Sequence, residues 1–335
     1  MLTQLSAAWP IEAWRDVTVV VAVSGGADSV SLLCGLNELR LREKAVKGRL
    51  IAAHFNHRMR DTAEHDAEFV QKLADQLDLP CVIGRAEKPL KATGGEGLEA
   101  TARAARYEFL LRAASEHGAR YVATAHTADD QAETILHRVI RGTGIAGLAG
   151  IQRTRPLSEA VTLIRPLLEV SRSEVVAYLS ERQQTFCLDE SNEDPSFTRN
   201  RIRHALLPQL ASQYNPNVRE ALLRLGQLAG DAQQVIEICA RVGFDRDVHF
   251  KSADEVLVDG SKLKDHPIHL VREVLVQIWK NQQWPLQQMG LDQWTSLAEL
   301  VIAPATAKAR SLNLPGPIRA SKEAEQVTLF RLKSG

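Results

Sequence analysis

The chain has 335 residues, of which 44% are hydrophobic and 24% charged, a composition typical of a soluble protein large enough for more than one domain. Acidic and basic residues number 41 each, so the net charge gives no support for nucleic-acid binding, although a local basic surface stays compatible with it. No apolar run is long enough for a membrane helix, and the first residues lack the pattern of a secretory signal. These features indicate a cytoplasmic protein that does not associate with membranes.

Apolar strand-like runs alternate with helix-like segments as far as residue 170. The first run, 17–23, is apolar and largely β-branched, as expected for a strand that is covered on both faces. Further strands are predicted at 50–55, 81–86, 121–125 and 163–168, and helices at 29–42, 62–77, 98–117 and 128–141. This alternation predicts an α/β fold with a doubly wound, mostly parallel five-stranded sheet.

The pattern changes after residue 170. A capping-box sequence at 171–174 opens a helix, and helical spacing continues to about residue 243. Two more helices are predicted at 266–282 and 291–302, and the tail predicts two short strands around a turn. A boundary near Asn215 and Pro216 then divides an α/β domain, 1–215, from a smaller, mainly helical domain, 216–335.

The loop after the first strand has the features of a phosphate-binding site. It consists of Ser24, Gly25, Gly26, Ala27, Asp28 and Ser29. Adjacent glycines leave backbone N–H groups unshielded, and together with the start of the next helix these groups make an anion site. Asp28 would repel a bare phosphate, so it is predicted to bind Mg²⁺ that bridges the phosphates. The Walker-type lysine motif is absent.

Polar residues also follow the second and fourth strands, so all three groups should meet at the rim where parallel strands end. After the fourth strand, Thr127 or Asp129 is predicted to cap a helix, and Asp130 and Glu133 share one face of it. Paired acids beside a nucleotide could hold a cationic substrate or take a proton from an attacking amine. His126 lies one step nearer the strand and could contact the nucleotide.

Several motifs taken together resemble the tRNA(Ile)-lysidine synthetases, a family of PP-loop or N-type ATP pyrophosphatases. The matching segments are SGGADS (24–29), H-x-N-H-x-x-R (54–60), GLEATARAARYEFL (97–110), HTADDQAET (126–134), RGTGIAGLAGI (141–151), RPLL (165–168), DESN (189–192) and RNRIRHALLP (199–208). The resemblance implies an adenine nucleotide alpha hydrolase-like fold that uses ATP and Mg²⁺. It also implies the shorter version of the family, without the further C-terminal domain of longer members.

The implied reaction has two steps. ATP first adenylates C2 of the wobble cytidine in tRNA(Ile) with a CAU anticodon, and the ε-amine of free L-lysine then displaces AMP. The implied partners are therefore the anticodon stem-loop and lysine. Whether the protein forms a homodimer is left open by the sequence. The implied residues are Asp28, His126 and Asp130 for catalysis, Asp130 and Glu133 for lysine, and His57, Arg60, Arg199, Arg201 and Arg203 for the tRNA or the adenylate.

Three alternatives remain: a tRNA thiolase with the same loop, a small-molecule amidating synthetase, and a non-catalytic nucleotide-binding module. The thiolases use catalytic cysteines or an iron–sulfur site, often in C-x-x-C pairs. The four cysteines here, Cys34, Cys81, Cys187 and Cys239, are far apart and are predicted to be reduced thiols. No glutaminase-like domain or N-terminal cysteine supports amidation, and acids at two strand ends argue against a non-catalytic module.

Overall fold

The predicted strands assemble into a twisted α/β sheet in the computed structural model. The structure describes residues 1–43, 46–58, 63–86, 97–187, 198–286, 288–305 and 310–332. The strands of this sheet are β1 (Thr18–Ala22), β2 (Leu50–Asn56), β3 (Cys81–Arg85), β4 (Ala119–Ala123), β5 (Thr154–Pro156) and β6 (Thr162–Ile164). Their order is β3-β2-β1-β4-β6-β5. All neighbours run parallel except β5, which pairs antiparallel with β6.

Helices cover both faces of this sheet, as the doubly wound prediction requires. The helices of this part of the chain are α1 (Leu2–Ala8), α2 (Ala27–Arg42), α3 (Ala63–Gln76), α4 (Leu98–Glu116), α5 (Ala128–Arg141), α6 (Ile145–Leu148), α7 (Arg172–Glu181), α8 (Thr198–Arg201) and α9 (Leu207–Gln213). Side chains alternate along β1: Val19 and Val21 pack with α1, α2, α3 and α7, whereas Val20 packs with α4 on the other face. Helices therefore cover both faces of β1, which explains why its sequence is an unbroken apolar run.

Two strand predictions need correction. The sheet has six strands rather than five, because β5 adds an exposed, three-residue edge that carries no apolar alternation. The predicted strand at 163–168 ends at Ile164, before Pro166, whose missing N–H group cannot extend the ladder. The capping box at Ser171 is confirmed, because its side chain and that of Glu174 each receive the other's backbone N–H group.

The chain divides into two compact units, residues 1–227 and 228–335. The division falls inside helix α10 (Val218–Asp247), which begins just after the predicted boundary at Asn215 and Pro216. The second unit adds β7 (Val248–Ser252), β8 (Glu255–Asp259), α11 (Gly260–Leu263), α12 (Ile268–Asn281), α13 (Leu291–Ile302), β9 (Arg310–Leu314), β10 (Ile318–Glu323) and β11 (Gln326–Arg331).

The second unit contains more sheet than the predicted strand pair. Its five strands form an antiparallel sheet in the order β7-β8-β11-β10-β9. The helical part of its core is aromatic: the Trp279 ring lies edge-on to Trp284 at 4.9 Å and to Trp294 at 5.1 Å between centroids. Within the described ranges of both units, no helix is both long and apolar enough to span a bilayer.

The contact between β3 and α4 is too close for any side chain at Gly84. A Cβ atom there would overlap the ring of Phe109, which is only 4% exposed. We expect Gly84→Ala to lower the free energy of unfolding by about 1–3 kcal/mol, because a packed core resists added volume. Urea unfolding followed by circular dichroism measures this loss. Adding Phe109→Leu should recover part of it, whereas strictly additive losses in the double variant would contradict the proposed overlap.

Candidate active site

The loop between β1 and α2 is a tight turn held by its own serines. Gly25 has φ +95°, and a Cβ atom there would lie 3.2 Å from the Sγ of Cys187. Ser29 donates its hydroxyl to the carbonyl of Gly26 at 2.9 Å and accepts the backbone N–H of Ser24 at 3.1 Å. The N–H of Cys187 donates to the carbonyl of Gly25 at 2.9 Å. The loop therefore needs glycine at position 25 and leaves the start of α2 open to an anion.

Asp28 lies in the first turn of α2, beside an arginine that the sequence analysis did not single out. Arg172 Nη1 donates to Asp28 Oδ2 at 2.7 Å. The other oxygen, Oδ1, is buried, and no group within the described residues donates a hydrogen bond to it. Burial raises the pKa of Asp28 to about 6, although Arg172 opposes the shift. The two carboxylate oxygens of Asp28 therefore differ: Arg172 fixes Oδ2, whereas Oδ1 accepts no hydrogen bond from the described residues.

The fourth strand leads into α5 through a capping box. Thr127 is the cap, and its N–H donates to Asp130 Oδ2 at 2.8 Å. Asp129 faces a different segment: its Oδ2 accepts the backbone N–H of Arg172 at 2.7 Å, and its Oδ1 lies 3.3 Å from Arg219 Nη1. Of the two predicted caps, Thr127 is therefore the one observed, while Asp129 joins the start of α5 to the start of α7.

Asp130 and Glu133 form an ion-pair cluster with two arginines from the segment after α7. Arg199 lies 2.7 Å from Asp130 Oδ1 and 3.0 Å from Glu133 Oε2. Arg203 lies 3.2 Å from Asp130 Oδ1 and 2.5 Å from Glu133 Oε1. The Glu133 side chain is 2% exposed and that of Asp130 14%. Burial acts to raise the pKa of Asp130, but Arg199 and the Thr127 N–H outweigh it and hold that pKa below its usual range.

Comparison with known proteins shows which family the chain belongs to. Residues 4–210 match the PP-loop domain model. The tRNA(Ile)-lysidine synthase of Rhodopirellula baltica is 35% identical over 96% of this chain and 93% of that protein. The chain belongs to the tRNA(Ile)-lysidine synthase family. A relative of that name from Geobacter sulfurreducens is 36% identical over 93% of this chain and 65% of its own length.

The relatives differ in length, and a solved structure shares the fold. The chain spans 61% of the length of the tRNA(Ile)-lysidine synthase of Thermotoga maritima, compared with 93% of the length of the Rhodopirellula baltica protein. The U34-tRNA thiolase of Methanococcus maripaludis, solved with its 4Fe-4S cluster, has a TM-score of 0.58 and 17% identity, covering 68% of this chain and 77% of that chain. This likeness supports the predicted adenine nucleotide alpha hydrolase-like fold alone.

The cysteines bear on the thiolase alternative, which needs them for catalysis or for an iron–sulfur site. All four are free thiols, and in the described ranges no three His, Cys, Asp or Glu side chains are grouped to hold a metal. Cys187, which touches the nucleotide loop, has a pKa that burial raises to about 11, so its thiol stays protonated and weakly nucleophilic. The thiolase alternative therefore receives no support from these cysteines.

His126 is a neutral side chain at the end of β4. Burial lowers its pKa to about 3; Asp130 opposes this shift, while Arg165 and Arg103 add to it. Its Nδ1 lies 3.2 Å from the Thr124 hydroxyl. An uncharged imidazole can still donate one hydrogen bond to a phosphoryl oxygen, but it cannot neutralise the charge of that group.

The other predicted binding residues lie in different surroundings. His57 packs edge-on against Phe55 with 4.8 Å between ring centroids, and Arg201 donates to the Thr198 hydroxyl at 2.9 Å. Arg60 and the DESN segment, 189–192, lie outside the described residues. Of the predicted site residues, the structure brings Asp28, Asp130 and Glu133 together at the rim where the parallel strands end.

Sequence reasoning missed Arg172 and Arg219, the two arginines that hold Asp28 and Asp129. The available signal for Arg172 was its place inside the capping box at the start of α7. Since parallel strands end at one rim, a helix that follows the last parallel strand also begins there. That rule could have placed Arg172 beside the nucleotide loop.

Proposed function

We propose that this protein attaches lysine to C2 of the wobble cytidine in tRNA(Ile) with a CAU anticodon, converting ATP to AMP and diphosphate. The observation that carries the proposal is the acid pair Asp130 and Glu133, whose side chains are 14% and 2% exposed, at the same strand-end rim as Asp28 of the nucleotide loop. A buried carboxylate pair suits a cationic amine substrate, and the nucleotide loop suits activation of the base. Membership of the family supports both assignments.

In the first step, the C2 oxygen of cytidine would attack the α-phosphorus of ATP, and diphosphate would leave. The loop amides and the hydroxyls of Ser24 and Ser29 are proposed to hold the diphosphate. Arg172 lies beside Asp28 and could donate to the same oxygens. His126, being neutral, is proposed to donate a hydrogen bond to the phosphoryl group that is transferred.

Asp28 fits the proposed role of Mg²⁺ ligand. Its buried Oδ1 has no hydrogen-bond donor in the described part of the chain, while Arg172 fixes its Oδ2. Mg²⁺ in nucleotide sites commonly takes one or two carboxylates together with phosphates and water, so a single protein oxygen is sufficient. When bound with ATP, the ion would neutralise the charge that develops on the diphosphate.

In the second step, the lysine amine would attack C2 and AMP would leave with the bonding electron pair. Asp130 and Glu133 are proposed to hold lysine, which must compete with Arg199 and Arg203 for the same oxygens. Asp130 is proposed to accept the amine proton. Because its pKa is low, it would accept that proton once the C–N bond has begun to form and the nitrogen has become acidic.

For the RNA, His57, Arg60 and Arg201 remain proposed contacts. Arg199 and Arg203 are already paired with acids, so we propose that they position the lysine site. The tRNA-binding role of the second domain and the homodimer stay predictions.

The decisive experiment is incubation of the full chain with radiolabelled lysine, ATP, Mg²⁺ and bulk bacterial tRNA. We expect label in the tRNA, with one AMP formed for each lysine attached. Transcripts of tRNA(Ile) with CAU and GAU anticodons provide a matched pair, and only the first should be labelled. Absence of label in every tRNA, with ATP still consumed, would favour a thiolase or a small-molecule synthetase.

A further inference from the structure

Asp129 joins the first turns of three helices. Its side chain is 15% exposed and occupies the second position of α5, next to Asp130. One oxygen, Oδ2, accepts the backbone N–H of Arg172 at 2.7 Å, and the other, Oδ1, lies 3.3 Å from Arg219 Nη1. Arg172 is the first residue of α7, and Arg219 is the second residue of α10. A single carboxylate therefore links α5 to the starts of α7 and α10.

The hydrogen bond from Arg172 to Asp129 completes the cap of α7. The first N–H groups of a helix have no partner within that helix. In α7 the capping box satisfies the N–H groups of Ser171 and Glu174, whereas the N–H of Arg172 donates to Asp129. The acceptor for this group thus comes from a residue 43 positions earlier in the chain. The start of α7 is therefore tied to the start of α5.

A second hydrogen bond holds the same two segments together and fixes where Arg172 lies. The N–H of Ala128 donates to the carbonyl of Val170 at 2.9 Å, in the direction opposite to the bond from Arg172 to Asp129. From this fixed backbone, the Arg172 guanidinium donates to Asp28 Oδ2 at 2.7 Å. The Arg172 side chain is still 45% exposed, and a guanidinium carries five N–H donors. It can therefore hold Asp28 and also donate to a ligand at the nucleotide loop.

We propose that Asp129 is a positioning residue for the first step of the reaction: it holds the backbone of Arg172 so that the guanidinium stays beside Asp28 and binds the phosphate oxygens of ATP. This inference rests on the proposed function and adds to it the residue that orders Arg172. Arginine pairs with phosphate through parallel hydrogen bonds in a fixed plane, so the direction in which its side chain leaves the backbone matters. A displacement of about 1 Å at such a group is enough to weaken binding and slow the reaction.

The test compares Asp129→Ala, Asp129→Asn, Arg172→Gln and the variant that combines Asp129→Ala with Arg172→Gln, all in the full chain. Asparagine keeps an oxygen that can accept the N–H of Arg172 and removes the charge that pairs with Arg219. The control is Asp292→Ala, because Asp292 is an exposed acid in the second position of α13, as Asp129 is in α5. Calorimetry with Mg²⁺ and a non-hydrolysable ATP analogue gives the affinity, at a temperature well below the melting temperature of the least stable variant.

Asp129→Ala should bind the analogue roughly tenfold more weakly, because the N–H of Arg172 loses its acceptor. Asp129→Asn should recover most of that affinity, and Asp292→Ala should stay within about twofold of the unsubstituted protein. The combined variant should bind no more weakly than Arg172→Gln, because Asp129 acts through Arg172. In Asp129→Ala, diphosphate exchange into ATP should fall more than transfer of lysine to isolated adenylated tRNA, because Arg172 acts in the first step.

Three results would overturn the inference. Unchanged affinity in Asp129→Ala would show that Asp129 is not needed, and strictly additive losses in the combined variant would show that it acts without Arg172. An Asp129→Asn variant as weak as Asp129→Ala would assign the effect to the charge of Asp129 and its pair with Arg219. The calorimetry uses neither tRNA nor lysine, so its result is separate from the labelling experiment. If no lysine is attached to any tRNA, but Asp129→Ala weakens analogue binding only while Arg172 is present, the proposed function fails and the positioning role stands.

Discussion

An Asp28→Asn variant is expected to lose about a hundredfold or more of its tRNA-dependent ATP–diphosphate exchange. Asparagine keeps the size of the side chain and can still accept a hydrogen bond from Arg172, which now donates to Oδ2 at 2.7 Å. It removes the negative charge proposed to bind Mg²⁺. The loss should therefore appear in exchange, which reports diphosphate release, rather than in the fold. Exchange of labelled diphosphate into ATP is the measurement.

Asp16→Asn provides the matched control, because Asp16 lies before β1 and is an exposed carboxylate with a side chain 57% accessible. It should exchange at the rate of the unsubstituted protein. Raising the Mg²⁺ concentration should restore part of the Asp28→Asn activity if metal affinity is what the variant has lost. Full exchange by Asp28→Asn would remove the metal-binding role from this residue.

Much of the α/β fold could be predicted because its strands are buried on both faces. Val19, Val20 and Val21 form an unbroken β-branched run, which is typical of a strand with helices packed on its two sides. The edge strand β5 could not be predicted, because three exposed residues carry no periodicity. In the second unit, β8 reads Glu-Val-Leu-Val-Asp: Val256 and Val258 are buried, but Leu257 between them is apolar too, so the sequence shows a short apolar run without the alternation typical of a strand.

The positions of the acids could be predicted, but their partners could not. Asp28 and Asp130 follow parallel strands, and all such strand ends meet at one rim. The pairing of Arg199 with Asp130 joins residues 69 positions apart, and it depends on the path of the chain after α7. The sequence motifs therefore predicted which residue types lie at the rim. Only the structure showed that two of the predicted RNA-binding arginines, Arg199 and Arg203, contact the predicted lysine-binding acids.

Because Asp130 both completes the cap of α5 and pairs with arginines, an Asp130→Asn variant tests its charge separately from its hydrogen bonds. Asparagine can still accept the N–H of Thr127, which donates to Asp130 Oδ2 at 2.8 Å, so the cap of α5 should survive. The negative charge that is proposed to bind lysine is removed. We expect lysine incorporation to fall about a hundredfold or more, with ATP–diphosphate exchange within a fewfold of normal. Asp75→Asn, an exposed acid on α3 whose Oδ1 accepts from Gln71 at 2.9 Å, is the control.

The two steps can be separated directly by isolating the adenylated tRNA and then adding lysine. With Asp130→Asn, the adenylate should form and persist, because the amine lacks both a binding carboxylate and a proton acceptor. Glu133→Gln should show the same pattern with a larger loss of stability, because Glu133 is 2% exposed and its substitution removes the negative charge that pairs with Arg203 at 2.5 Å. If adenylate formation fell in parallel with lysine transfer in Asp130→Asn, the acid pair would serve the whole site rather than the amine, and the assignment of Asp130 to the second step would be wrong.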